Sequence, residues 1–263
     1  VTVHARARAH IAGRWSEREG GTLSAVGAAA MLAHEIRNPL SGIRGAAQLL
    51  DDPDDPATNE LSQIIVSEVD RIRALVDRME TFTDTRPLER RRENIHNILS
   101  HVRQVAAAGV ARAIPIRERY DPSLPEVLAN RDRLIQVFLN LVKNAAEAAH
   151  SRGDGRGEIV LTTAYRHGVR VRAIDGQAAQ GAPLEVRVID NGPGVPAHLR
   201  EHLFEPFVTT KTHGAGLGLA LVAKIVAAHG GLIDFESEPG RTVFRVLLPV
   251  APTVVPAPKE KSR

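Results

Sequence analysis

The stretch Leu184-Glu185-Val186-Arg187-Val188-Ile189-Asp190-Asn191-Gly192-Pro193-Gly194 decides how the chain is read. Leu184 to Ile189 reads as a β-strand, closed by glycine and proline. A carboxylate then stands directly at the strand end. There it can accept a hydrogen bond from the amino group of a base such as adenine, and the glycines let a flat ring approach the backbone. Asn-Gly after a strand is also a hairpin signal, so the stretch by itself leaves both readings open.

Elements on either side organise it. Ile95 to Ala108, Arg131 to His150 and Leu219 to Ala228 read as helices. Glu158 to Ala164, Leu232 to Ser237 and Thr242 to Leu248 read as strands, with a further strand over Ile114 to Arg119. Strands interrupted by helices predict a two-layer α/β sandwich over residues 87–250. Tyr165 to Pro183 reads as an exposed hairpin insertion. The prolines at 252, 256 and 258 and the ending Lys-Glu-Lys-Ser-Arg predict a disordered tail over 251–263.

The first third has another texture. Leu32, Ile36, Leu40, Ile43, Ala47 and Leu50 are spaced by threes and fours in a helix over 23–50. Leu61, Ile65, Ile72, Leu75, Met79 and Phe82 make a heptad-like stripe in a second helix from about Thr58 to Phe82. Between them Asp51-Asp52-Pro53-Asp54-Asp55-Pro56 forces a turn. A lone hairpin cannot cover two apolar stripes. Residues 23–86 are therefore expected to form a four-helix bundle in a homodimer, the other arrangement being a hairpin packed on its own chain. Residues 1–22 read as a linker or the remnant of an upstream domain, an expectation that suits a chain starting at Val1.

Composition sets limits. The 263 residues have room for two domains. The absence of cysteine excludes disulfides, thiol catalysis and Cys-ligated zinc. The net charge of +3 makes no nucleic-acid footprint, although the pI is 9.6. No apolar run approaches the roughly 20 residues of a membrane helix, so neither direct nucleic-acid nor membrane binding is expected.

Two sets of residues carry chemistry. In His34-Glu35-Ile36-Arg37-Asn38-Pro39-Leu40, His34 points about 200° away from the core positions Leu32 and Ile36, and Asn38 lies one turn on along the same face. A neutral imidazole is a nucleophile near pH 7, and Glu35 can orient it or take its proton. The second set is dispersed. Asn140, Lys143 and Asn144 share a helix face, with amide oxygens suited to Mg²⁺ and a point charge suited to phosphate. Asp190, Gly192 and Gly194 follow a strand. Lys211 closes Phe204-Glu205-Pro206-Phe207-Val208-Thr209-Thr210-Lys211, a candidate lid. Gly214, Gly216, Leu217, Gly218 and Leu219 open a helix whose first N–H groups suit phosphates.

The string around His34 resembles the phosphoacceptor segment of two-component sensor histidine kinases. The dispersed set resembles, in order and spacing, the N, G1, F and G2 boxes of the ATP-binding domain shared by histidine kinases, Hsp90, DNA gyrase B and mismatch-repair ATPases. The resemblance spans residues 23–250 and is closest to the nitrogen-regulation sensor kinases. It implies that His34 accepts a phosphoryl group, Glu35 is the general base, and Asn38 places water in the reverse, phosphatase direction. It implies that Asn144 binds Mg²⁺, Asp190 reads adenine, the glycines bear on the ATP phosphates, and Thr242 helps hold the base. It further implies a cytoplasmic location, an upstream PAS sensor domain, a response-regulator receiver domain of the enhancer-binding type as acceptor, and control by a PII signal protein. Two alternatives share the nucleotide fold: an ATP-driven clamp, and a non-catalytic nucleotide-binding module.

Overall fold

The computed structural model describes Ile36 and residues 39–50, 55–83, 88–171, 180–209 and 216–252. They fall in two compact units. One comprises residues up to Pro87 together with His202–Leu221, and the other comprises Leu88–Glu201 together with the residues from Val222 onward.

The first unit contains a helical hairpin of α1 (39–49) and α2 (Pro56–Thr83). Leu40 and Ala47 are buried on α1, and Ser62, Val69 and Val76 on α2. Each set repeats every seven residues, so each forms a single seam. Ser62 Oγ donates to the Ala47 carbonyl at 2.6 Å, and Arg44 pairs with Asp70 across the hairpin at 2.5 Å. Within the single chain the hairpin's own seam is not the stripe read from sequence on α2. Leu61, Ile65 and Ile72 are exposed in the single chain, as are Ile36, Ile43 and Leu50 on the other side. The seam that meets α1 begins instead at Ser62, a polar residue that apolar periodicity passes over. Helix α2 also starts before Thr58. The Asp55 carboxylate accepts the N–H groups of Ala57 and Thr58 and the Thr58 hydroxyl, and Pro56 fills the first helical position, where its missing N–H costs nothing. The Thr58 bonds hold the Asp55 carboxyl below its ordinary range.

The second unit is built on a five-stranded sheet. Its strands are β2 (Ile116–Arg119), β4 (Ile159–Tyr165), β7 (Leu184–Asp190), β8 (Leu232–Glu238) and β9 (Arg241–Leu248), in the order β2-β4-β7-β9-β8. Only the β2–β4 pair is parallel. Helices α3 (Ile95–Ala108) and α4 (Arg131–His150) pack together, and α4 lies on β4 and β7. Their buried faces repeat every three to four residues: Ile95, Ile98, Leu99 and Val102 on α3, and Leu134, Val137, Phe138, Leu141, Val142 and Ala145 on α4. The sheet answers with Ile159, Leu161, Val186, Val188, Phe244 and Val246 at alternate positions. The mixed α+β class, with an α/β sandwich, is the one expected from sequence, and each of these strands and helices lies within two residues of its expected bounds.

Other elements were not legible. β1 (Arg91–Glu93) pairs with β3 (Val127–Ala129) in a separate ribbon. β1 reads Arg-Arg-Glu, with no apolar alternation to betray it. Ala251 and Pro252, read from sequence as the start of a disordered tail, are instead held. The Ala251 N–H donates to the Glu126 carbonyl, Arg92 donates to the Pro252 carbonyl, and Val250 bridges Val127. In the 165–183 insertion, β5 (Arg170–Val171) pairs antiparallel with β6 (Gln180–Gly181).

Candidate functional site

Alternation along β7 puts Leu184, Val186, Val188 and Asp190 on the helix-covered face of the sheet. An acid thus takes a place that the pattern gives to apolar side chains. The register sets Ile159, Asp190, Thr242 and Ser237 side by side across β4, β7, β9 and β8. Asp190 and Thr242 are each only 3% exposed. The Gly192 N–H donates to Asp190 Oδ1 at 2.9 Å. Burial pushes the Asp190 carboxyl up to about 6, against the pull of the Gly192 bond. Among the described residues no cation contributes to that balance. An acid kept in this state is costly to ionise alone and is well placed to receive a donor from a ligand.

The loop after Asp190 is held on three sides. A Cβ on Gly192 would come within 2.7 Å of the Ala148 Cβ on α4, so only glycine lets the loop rest there. Gly194 has φ +87°, and a Cβ on it would meet the Glu238 carbonyl oxygen at 2.9 Å. From the β8–β9 turn, the Gly240 N–H donates to the Gly192 carbonyl at 2.9 Å, and Ser237 Oγ accepts the Val195 N–H at 2.8 Å. On the third side Asn191 accepts the Glu158 N–H and donates to the Arg156 carbonyl, while Arg152 donates to the Asn191 carbonyl. The hairpin reading of Asn191-Gly192 is thereby excluded. β7 pairs with β4 and β9, and the chain after Gly192 continues into the 3₁₀ helix Ala197–His202.

Helix α4 begins at the N-cap Asn130, whose side chain accepts the Arg133 N–H at 3.1 Å. Asn140, Lys143 and Asn144 lie half-buried beside its apolar stripe. Asn140 donates to the Gln136 carbonyl of its own helix at 3.0 Å, and Lys143 lies 3.9 Å from Glu147. Asn144 stands one turn before Ala148, the residue on which Gly192 rests. Among the described residues no group of three His, Asp or Glu could hold a metal ion. An amide face of this kind suits a cation that arrives with phosphates and keeps most of its waters.

Gly216, Leu217, Gly218 and Leu219 lie in the His202–Leu221 segment of the other unit. Leu217 is buried, and Gly218 opens α5 (Gly218–Ala228). Gly216 has φ +66° and no room for a Cβ against the Phe207 backbone, and its carbonyl accepts the Phe207 N–H at 3.0 Å. Phe207 has φ +67°, a strained value for a bulky residue. His34, Glu35, Asn38, Lys211 and Gly214 lie outside the described residues.

The sequence reading passed over two residues, one beside Thr242 and one at the opposite, N-terminal end of α4. One is Ser237, whose hydroxyl lies 2.9 Å from that of Thr242. The other is His229, only 1% exposed. Its Nδ1–H donates to the Ile225 carbonyl at 2.7 Å, and its Nε2 accepts the Asn130 N–H at 3.0 Å, linking the end of α5 to the N-cap of α4. Burial holds the ring below its ordinary pKa, with Arg90 adding to the effect and the Ile225 bond opposing it. The signal for Ser237 was its place opposite Thr242 in an antiparallel pair; for His229 no sequence signal existed, because both its partners are backbone atoms.

Comparison with known proteins gives a consistent result. The family model described as histidine kinase-, DNA gyrase B- and HSP90-like ATPase matches residues 129–252. That of the His Kinase A phospho-acceptor domain matches residues 27–87. A relative named sensory histidine kinase/phosphatase NtrB, from Rhizobium meliloti (strain 1021), is 58% identical over 228 residues, covering 87% of this chain and 59% of the relative. The chain thus spans about three fifths of the length of such relatives. Among solved structures, full-length ShkA in complex with AMPPNP matches with a TM-score of 0.67 and 28% identity, over 85% of this chain and 46% of that one. Histidine kinase ThkA in complex with the response regulator protein TrrA matches with a TM-score of 0.59 and 27% identity, over 95% of this chain and 67% of that one.

Proposed function

The chain belongs to the sensor histidine kinases, and from that premise we propose that it is an ATP-dependent protein-histidine kinase of the nitrogen-regulation type. The observation that carries the reading is the buried carboxylate of Asp190, which has no cation beside it among the described residues. It ends β7 in one row with Thr242, and the loop that follows it is seated against α4 one turn beyond Asn144. In this reading Asp190 accepts from the adenine amino group, and Thr242 supports the base. Asn144 supplies an amide oxygen to Mg²⁺, with Asn140 and Lys143 beside it. The cation supplies charge neutralisation on the phosphates.

An imidazole nitrogen of His34 attacks the γ-phosphorus. Glu35 takes the proton from the other ring nitrogen, and ADP leaves. The phosphoryl group then passes to an aspartate of a response-regulator receiver domain of the enhancer-binding type. In the reverse direction Asn38 places water against that phospho-aspartate. Lys211 and the glycines 214, 216 and 218 bear on the phosphates. Residues 23–86 form the homodimeric bundle, and the exposed Ile36, Ile43, Leu61, Ile65 and Ile72 support that assembly. Among the described residues no helix is long and apolar enough to cross a membrane; a cytoplasmic location and control by a PII protein belong to the same proposal.

Incubation with γ-³²P-ATP tests the reading. A base-stable, acid-labile label on the chain is expected, lost in His34→Ala and moved to an added receiver domain. A label that persists in His34→Ala overturns it. The clamp alternative needs a general-base glutamate where Asn140 stands, and Asn140 is bonded back to its own helix.

A further inference from the structure

Three strands end together at the base site, and each contributes one polar side chain to the helix-covered face: Asp190 from β7, Thr242 from β9 and Ser237 from β8. The order matters, because Thr242 stands between the other two. A hydroxyl has one hydrogen to give and two lone pairs to offer. The Val195 N–H uses one lone pair of Ser237, at 2.8 Å. The next group Ser237 meets is the Thr242 hydroxyl, at 2.9 Å. Thr242 is therefore pinned on one flank, while its other flank faces the strand that ends in Asp190. Val195 stands at the far end of the loop that follows Asp190, just before the 3₁₀ helix Ala197–His202. One serine thus ties together the loop that follows Asp190 and the hydroxyl beside that acid. The Gly240–Gly192 bond and the close seat of Gly194 on Glu238 reinforce the same junction.

We propose that Ser237 is a positioning residue for the base site, orienting the Thr242 hydroxyl and holding the Val195 end of the loop so that the base meets a preset surface. The proposal rests on the nucleotide-binding reading above and deepens it. A preset hydroxyl spares the ligand the cost of ordering a rotor. The contribution therefore appears in affinity and not in the chemical step, which takes place at the far end of the triphosphate. Thr242 meets the base, and Ser237 acts through it.

The test measures Mg-ATP affinity by calorimetry, together with KM and kcat for autophosphorylation, on the whole chain. Ser237→Ala should weaken Mg-ATP by about fivefold to tenfold, the worth of roughly one net hydrogen bond, and should raise KM while kcat at saturating ATP holds within about twofold. Ser237→Thr and Ser237→Val have the same shape and differ in the hydroxyl alone. Thr should restore affinity and Val should not, even if the Ala variant folds poorly. In a double-mutant cycle with Thr242→Val, the combined loss should fall short of the sum of the two single losses, because part of what Ser237 does passes through Thr242. Equal affinity in the Thr and Val variants, a fall in kcat at unchanged KM, or additive losses in the cycle would each overturn the proposal while leaving the nucleotide reading intact. Wild-type protein that binds no Mg-ATP would overturn both.

Discussion

Strand β7 carries two buried carboxylates, five residues apart and on opposite faces of the sheet. Glu185 looks outward and Asp190 looks toward the helices. Both are almost fully covered, at 4% and 3% exposure. Their company differs. Around Glu185 the structure gathers Arg166 at 3.1 Å, Arg187 at 2.9 Å and Arg245 at 3.2 Å. Arg245 in turn reaches Asp234 and Glu236. Asp190 has a single backbone N–H and a hydroxyl neighbour across the register. A buried charge that is already paired has no need of a ligand, whereas one left without a counter-charge is costly in the free protein and can be relieved by a bound donor. The acid on the outer face serves the sheet, and the acid on the inner face serves a guest. The outer network also shows that proximity is not bonding: the Nε atoms of Arg187 and Arg245 are buried near Glu185 yet make no directed hydrogen bond to it.

The contrast can be broken at either acid. Glu185→Ala should have the largest effect, because it leaves arginines facing one another in a covered site. A loss of about 3 kcal/mol in denaturant unfolding is expected, below the upper range for fully buried pairs because Arg166 is half exposed. A change below about 1 kcal/mol would remove the structural half of the comparison. Asp190→Asn comes next. It should weaken Mg-ATP by about 100-fold, since an amide that keeps the Gly192 bond offers its NH₂ where an acceptor is needed; affinity within about threefold of wild type would remove the functional half.

Acidity sharpens the comparison without a mutation. With its carboxyl pushed up to about 6, Asp190 takes a proton as pH falls from 7.5 to 5. The proton goes to Oδ2, because Oδ1 already accepts from Gly192. Mg-ATP affinity measured across this range should fall by about tenfold, with its midpoint near the Asp190 value, and a flat profile would contradict the assignment. The smallest effect concerns the ligand-free protein. The folded value lies above the ordinary 3.8, so the folding contribution of Asp190 is complete below that value and is lost as pH rises through about 6. Asp190→Asn should therefore raise ligand-free stability at pH 7.5, by on the order of 1–2 kcal/mol. The same substitution at Glu185 should lower it.

Much of this was legible in the chain itself. The strand pattern of Leu184 to Ile189, the acid after it and the glycines beyond are local facts, and local facts survive folding. The helical periods of α3 and α4 and the alternation of β4, β7 and β9 are equally local, so the sandwich could be read with bounds good to a residue or two. Asn144 and Asp190 could be named because residue type and position within an element were enough.

Relations between distant segments could not be named. The seam of the hairpin ran through Ser62, because one polar residue can bury itself by donating to the Ala47 carbonyl. The β1–β3 ribbon joined segments far apart in the chain, from Glu93↔Val127 at one end of the register to Arg91↔Ala129 at the other, with no periodic pattern in either. Sequence alone determined which residues could hold a nucleotide, because chemistry belongs to side chains. Tertiary structure decided which acid was free to do so. Glu185 and Asp190 look alike on one strand, and only the register of β7 with β9, which sets Arg245 near one and Thr242 beside the other, separates them.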